Sequence, residues 1–590
     1  MNIVVRARDF SGLILISLIL LIITIATTSF YQFPPDGLYY ASSLPVFYWA
    51  GVLVTLFSVL ISYKTKTNDH FKLIPHLILA AYLFSLPAFT YDVPRFVDIY
   101  DHGSGALSIF KSGEINPNHS YSNDYPLSFM LMAMNLLVTG IDPNLYFRFH
   151  QAFVPLLLIP LIYLLARSFK PRYALYAPLA FNAMLFSDPG HFSPQSLAAP
   201  LYLLLWVYLV KVLLSRDSNR EGIIVAIIAL IAINLSNPTT AYFLLMNLIF
   251  IPLIGFALFK LISRKPLSLT ALGDKGGNST SVRYADKNQG ANVMKKIIPI
   301  MLLHVVVLLA WSLYGAEDRG MQKIIDRLSV NSEIYLQGTT ALPVSPASSY
   351  LIPIGINAVA AAFMVISTLL FFAILYKHQK SEHKMLIIIS GLIAGSMIVF
   401  PIFVFQSGAF VLRALMFAAI PWSILFASFM AIRIKNKLHA RTRTVALVLV
   451  LIFIVLIPIS KYGSEPTTNL SSSDIYLADF ATNHSSNEWV LTLLSGNYAY
   501  RYYGIYNDNE IRKSEIGSRK IIDQEVIEKE LDSKIERNAV VGRNLKVALT
   551  SMESNVYSLK YPSDYQGLVD SLQKRFNLIA NNGSQIYAVR

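Results

Sequence analysis

YPLSFMLMAMNLLV, Tyr125 to Val138, is an apolar run of 14 residues interrupted only by Ser128 and Asn135. As a helix rising 1.5 Å per residue it would measure about 21 Å, short of the roughly 30 Å of hydrocarbon in a bilayer. Its reading decides the fold, because one extra crossing here would invert every later segment of the chain. We read it as lying in or near the outer membrane surface, together with the amphipathic stretch Ala106 to Phe110.

Working outward, the remaining apolar runs are mostly long enough to cross. They lie near residues 11–29, 42–62, 73–90, 149–166, 173–187, 195–214, 221–236, 238–262, 297–314, 351–376, 384–404, 409–432 and 444–460, which makes about 13 spans, the fifth and seventh short. With 590 residues, 54% of them hydrophobic, and a mean hydropathy of +0.50, the chain has the composition of a polytopic α-helical membrane protein rather than a soluble one. The first run, SGLILISLILLIITIATT from Ser11, has no small-residue cleavage site and is expected to stay as the first span.

Charge tests the count. If Arg6 and Arg8 are cytoplasmic, every second loop should be basic. Lys64, Lys66 and Lys72, then Arg167, Lys170 and Arg172, then Lys211, Arg216 and Arg220, then the region from Lys260 to Lys296, then Lys377, Lys380 and Lys384, and finally Arg433 to Arg443 satisfy this. On the other side Arg95, Lys111, Arg148, Arg319, Lys323 and Arg327 are diluted by acids. The net charge of +14 is thereby explained as topology, and no nucleic-acid partner is implied. The cytoplasmic segment GDKGGNSTSVRYADKNQGAN is expected to be a flexible linker.

Two expectations follow for the outer side. Residues 91–148 form an extracytoplasmic loop, and everything after Lys461 is extracytoplasmic. The composition changes at SKYGSEPTTNLSSSD, so residues 1–460 form a membrane domain and residues 461–590 a soluble α/β domain. In the latter, IIDQEVIEKELDSKIE and SDYQGLVDSLQKRF read as helices and LKVALTS and SQIYAV as strands. No cysteine is present, which excludes disulfides, thiolate metal sites and cysteine nucleophiles.

The outer loop opens with YDVPRFVDIYDHGSGALSIFKSGEI, Tyr91 to Ile115, an unusual concentration of charge. Charges at the end of a span are ordinarily solvated, and Asp92, followed by Val93-Pro94, reads as structural. The order of features continues with Asp98, then IFKSGEI, then Tyr125-Pro126-Leu127. This order resembles the first external loop of the GT-C superfamily, the polytopic glycosyltransferases that use polyprenyl-linked sugar donors and include the protein mannosyltransferases, aminoarabinose transferases and oligosaccharyltransferase catalytic subunits. The resemblance covers the membrane portion from about residue 73.

The resemblance implies an inverting transfer from a polyprenyl (dolichyl) phosphate-linked sugar, in which one carboxylate takes the proton of the attacking hydroxyl. Asp98 stands fifteen residues before Gly113, about where the family's acid stands, with Asp101 as the alternative. Arg95, His102 and Tyr125 fall in the same loop as candidate substrate contacts. In FSDPGHFSPQS, Phe186 to Ser196, Asp188 and His191 are spaced D-x-x-H, and Gln195 follows. The family can hold a divalent cation here, and Asp98, Asp188 and His191 would be its ligands, with magnesium or manganese the ions expected of such a donor set. A lone aspartate before proline is ordinarily a turn former or helix cap, and Asp188 has that reading too. Arg413 lies inside a span, where arginine is costly and usually faces a cavity or partner; relatives place an arginine there against the lipid phosphate.

Other features are ordinary. Asn237 and Pro238 in SNPTTAY read as a helix break and cap, His304 as a core histidine, and Trp311 as part of an interfacial belt. The stretch AEDRGMQKIIDRL in the loop from Tyr314 to Tyr350 reads as an amphipathic helix and a candidate lid.

The expected activity is transfer of a sugar to a glycan, lipid or protein acceptor at the outer face of a plasma membrane. An oligosaccharyltransferase is the alternative enzyme, although the tail lacks the WWDYG signature and has Trp489 as its only tryptophan. A transporter or flippase of a lipid-linked precursor should place its charges near the midplane, and a non-catalytic family member is a fourth reading. Sequons at Asn118, Asn469, Asn483 and Asn582 would allow the protein itself to be glycosylated, which suits an archaeal membrane.

Overall fold

Apolar runs satisfy their backbone groups in lipid only by coiling, and through Tyr462 the described residues of these runs are mostly helical. A computed structural model describes residues 7–28, 40–115, 120–169, 174–185, 192–214, 220–264, 279–315, 348–378, 388–393, 395–396, 408–431, 437–462, 474–476, 478–480, 489–493, 502–503, 512–516, 545–549, 576–581 and 585–589. In chain order the main helices are α1 (Ala7–Thr27), α2 (Val46–Ser62), α3 (Asp69–Thr90), α4 (Val97–Ser112), α5 (Leu127–Thr139), α6 (Pro143–Phe169) and α7 (Tyr176–Met184). They continue with α8 (Pro194–Leu214), α9 (Arg220–Ser236), α10 (Pro238–Arg264), α11 (Ser279–Ala310), α12 (Ser348–His378), α13 (Gly408–Ala431) and α14 (Lys437–Tyr462).

Among the described residues, eight helices are long and apolar enough to cross a membrane: α1, α3, α6, α8, α11, α12, α13 and α14. They leave Ile16, Ile22, Val359, Ile366 and Leu369 among their exposed apolar side chains, as a lipid-facing surface requires. The eight fall on eight of the runs read from the sequence. The run at 173–187 behaves differently. Among its described residues only the nine of α7 are α-helical, about 14 Å by the helical rise, and the backbone leaves helical geometry at Leu185. Ala177 through Met184 are all buried, with α13 and α14 packed against them. The expected cytoplasmic linker is also corrected in part. From Ser279 onward, most of its length, it is helical and continues into the apolar part of α11, where elongation needs no new helix nucleus.

Close contacts between helices rest on small residues and buried polar pairs. A Cβ added to Gly391 would lie 2.5 Å from the Cα of Ile251, and one on Gly395 would lie 2.7 Å from the Cα of Asn247. The two glycines thus seat helical residues 388–393 and 395–396 directly on the backbone of α10. Asn247 donates to the Tyr202 hydroxyl on α8, and Ser396 donates to Asn247 Oδ1 at 3.4 Å.

His304 is satisfied inside the bundle, as its apolar setting suggested. Its Nε2 lies 3.0 Å from the Ala241 carbonyl and its Nδ1 lies 3.2 Å from Asn234 Nδ2. A carbonyl can only accept, so Nε2 carries the proton and Nδ1 accepts from Asn234. One imidazole therefore ties α9, α10 and α11. Replacing His304 with leucine is expected to remove both contacts, Asn234 Nδ2 keeping only its bond to the Leu230 carbonyl, at about 1–3 kcal/mol for the buried polar groups left unmet, read as a lowered unfolding temperature of the purified protein in detergent. Asn237 caps α10 as expected, its Oδ1 accepting from Thr240 N at 2.9 Å.

After α14, β1 (Trp489–Leu493), β2 (Arg512–Ile516), β3 (Leu545–Leu549), β4 (Phe576–Asn581) and β5 (Gln585–Val589) form one sheet in the order β2-β1-β3-β5-β4. Strand β1 is parallel to β2 and β3, which requires crossover connections, whereas β5 pairs antiparallel with β3 and β4. The two segments read as strands are β3 and β5. Of the two read as helices only Phe576, the first residue of β4, is described; the rest of both, and the lid stretch before Tyr350, lie outside the described residues.

Candidate functional site

Helix α3 delivers the chain to the site through a π-helical segment, Ala81–Ser85, a widening of the helix often found at functional sites. It ends under Arg148 of α6, whose Nε donates to the Ala88 carbonyl at 2.9 Å and Nη2 to Phe89 at 3.3 Å. A guanidinium on the last carbonyls caps a helix and complements its dipole. Arg148, counted from the sequence only as a loop charge, fixes where the loop begins.

Helix α4 then runs from Val97 to Ser112 and stops at Gly113, whose φ of 74° is the left-handed conformation that favours glycine. The KSGE turn is thus a helix terminator. Asp98, Asp101 and His102 stand at i, i+3 and i+4 and share one face. Asp98 is exposed in the first turn, where a carboxylate also complements the helix dipole. Asp101 and His102 are half-buried, and the His102 ring lies 6.1 Å from that of Phe129 on α5. Arg95, just before the helix, is only 1% exposed, its guanidinium 4.5 Å above the Phe96 ring.

Segments around the remaining candidates converge here. Tyr125 is buried, and α4 packs on both α5 and the short helical turn Ser120–Asp124. Ser128 donates to the Pro194 carbonyl at 3.4 Å, which brings the start of α8, with buried Gln195, against the start of α5. Asp188 and His191 lie outside the described residues, as does the Arg413 side chain, although its backbone belongs to the first turns of α13. Among the described residues, no three histidine or acidic side chains come together as a metal site. Asp98 alone of the expected ligand set is described, so no step is assigned to a cation.

A nearby histidine and serine invite a nucleophilic reading that the geometry rejects. His150 Nε2 lies 2.8 Å from Ser196 Oγ. The Ser196 hydroxyl already donates to the Ser193 carbonyl at 2.7 Å, so the imidazole donates to the serine and cannot take its proton.

Three residues escaped the sequence reading. Asp124 is 2% exposed, and the Trp311 indole donates to its backbone carbonyl at 2.9 Å, a specific tie where the sequence suggested only a belt residue. Buried acids attract functional interest, but only the distant tryptophan reveals this one. Gln151, one turn deeper on α6 than Phe147, is buried with neither carboxamide atom hydrogen-bonded among the described residues. Asp474, in the C-terminal segment, is buried close to Tyr100.

Burial pushes the Tyr100 phenol well above its ordinary pKa, and Tyr503, Tyr502 and Asp474 add to the shift. A raised folded-state pKa means that this stability is complete below the ordinary tyrosine value of about 10 and is lost as pH rises beyond it. Titration upward from pH 10 is therefore expected to increase hydrogen exchange in α4 before exchange rises in α8 and α13. Simultaneous loosening of all three would contradict this.

No protein-family model matches the chain, and no curated protein matches it.

Proposed function

We propose that the protein is an inverting membrane glycosyltransferase that moves one sugar from a polyprenyl-phosphate donor to an acceptor on the extracytoplasmic face of a plasma membrane. The observation that carries this reading is the acid face of α4. Asp98, Asp101 and His102 are presented together on a short helix, beside buried Arg95 and Asp124, at one end of a helical membrane bundle. In the proposed topology about 13 segments cross, the N-terminus is cytoplasmic, and residues 461–590 form an external α/β domain.

In the reaction, an acceptor hydroxyl oxygen forms the bond to the anomeric carbon as the bond from that carbon to the phosphate oxygen breaks. Asp98 takes the hydroxyl proton, and its exposure lets that proton pass on to water. A single displacement inverts the anomeric centre, so one carboxylate suffices, unlike the two of a retaining glycosidase. Arg413 neutralises the departing polyprenyl phosphate through charge-assisted hydrogen bonds. Arg95, His102, Tyr125, Gln195 and His191 position the substrates.

The test uses membranes containing the full chain, a polyprenyl-phosphate sugar labelled in the sugar, and delipidated surface glycoprotein as acceptor. Label is expected to move to the acceptor with inversion and to stay on the lipid with Asp98→Asn. Equal transfer by membranes lacking the protein would remove the assignment.

A further inference from the structure

Helix α4 has a second face, opposite its acids. Ile99, Tyr100, Ala106 and Leu107 form a buried cluster with Phe129, Phe147 and Phe192, and the same cluster includes Ile475, Ala478, Tyr502 and Tyr503 from the C-terminal segment. The tail is therefore built into the site's support. Tyr502 is 0% exposed and makes edge-on ring contacts with Tyr100 at 5.6 Å, Phe147 at 5.7 Å and Tyr503 at 5.1 Å. The Tyr503 hydroxyl donates to Asn144 Oδ1 at 3.4 Å, at the start of α6.

Gly103 makes this approach possible. A Cβ there would lie 2.9 Å from Phe147 Cζ and 3.3 Å from Tyr502 Cε2. A helix interior disfavours glycine by roughly 1 kcal/mol relative to alanine, so its place in the middle of α4 is accounted for by the two rings pressed against it.

We propose that Tyr502 is a positioning residue: it clamps α4 from the tail side and thereby sets the orientation of Asp98, Asp101 and His102 on the other face. Its effect on transfer rests on the glycosyltransferase reading, whereas the clamp itself does not. The apolar contacts hold the helix against rotation about its own axis, and a rotation of one residue would swing the acids by about 100°. Tail and membrane domain then act as one unit at this site, and whatever engages the tail is coupled to the acid face through Tyr502.

The absence of cysteine from the chain makes the test direct. In the full-length protein in native membranes, Ala106→Cys places a thiol in the buried interface, and its rate of labelling by a membrane-impermeant maleimide is measured. With Tyr502 intact, labelling is expected to be slow. With Tyr502→Ala it should rise at least tenfold, and with Tyr502→Phe, which keeps the ring, it should stay slow. Equal rates with tyrosine and alanine would overturn the clamp.

A second measurement covers the case in which the alanine variant fails to accumulate. Asn144→Cys with Tyr503→Cys should be joined by a short bismaleimide in otherwise unaltered protein, and failure to join although each thiol labels singly would overturn the docking. Transfer is assayed in parallel, with Tyr502→Ala expected to lower kcat at least tenfold at little change in donor KM. Fast labelling of the Ala106→Cys thiol in the Tyr502→Ala background with undiminished kcat would overturn the positioning role. A protein that shows the clamp but no transfer in its unaltered form would overturn the enzymatic reading alone.

Discussion

Replacing Gly391 and Gly395 together by valine is expected to prevent the membrane bundle from closing. Each new Cβ would meet main-chain atoms of α10, at 2.5 Å from Ile251 Cα and 2.7 Å from Asn247 Cα, so no side-chain rotation can relieve the clash. Overpacking costs about 1–3 kcal/mol per site, and because both positions press on one face of one helix the two penalties are coupled. Separation would also strain the hydrogen bonds of Asn247 with Tyr202 and Ser396. Gly12 and Gly355 provide the control, since a Cβ at either meets nothing within 4 Å. Purified protein in detergent should lose most of its cooperative thermal transition in the Gly391 and Gly395 variant and keep it in a Gly12→Val, Gly355→Val variant. Similar behaviour of the two would show that α10 is not held by this contact.

Asp98→Asn carries the largest expected effect on activity. Asparagine keeps the shape of the side chain and cannot accept the proton, so the loss should fall on turnover, by about 10²–10⁴-fold as for a general base, or about 2.7–5.5 kcal/mol of barrier. Donor binding should be nearly unchanged, because the proton moves only in the transition state. Asp101→Asn should cost less, since Asp101 stands one turn further along the helix and is half-buried. If Asp101→Asn were the more damaging, the role of base would pass to Asp101.

What could be read ahead of the structure was local. The Tyr125–Val138 run reads as too short to span, and the helix it forms, α5, is 13 residues long and closed by Gly140. LKVALTS and SQIYAV, read as strands, contain β3 and β5. The fifth run is already short for a span, but the end of α7 at Leu185 could not be read this way, because hydropathy reports that a run prefers lipid or core and not where the backbone turns out of the helix. Asp124 and Tyr502 were invisible for a different reason. Their significance lies in partners far along the chain, Trp311 for one and Gly103 and Phe147 for the other. A tyrosine in a polar tail reads as surface until the helix it covers is in view. The GSGALS stretch had the clue in Gly103, whose missing side chain leaves room for the covering rings.

The central claim is that this chain adds one sugar from a lipid phosphate donor using the acids of α4. The most direct measurement is mass spectrometry of surface glycans from cells whose only copy carries Asp98→Asn, with the amount of protein in the membrane matched to the unaltered chain. The account predicts glycans shortened by one sugar residue, and by whatever is normally built on it, with the preceding sugars intact. Glycans of unchanged mass at matched protein levels, in these cells and in cells lacking the gene, would contradict it.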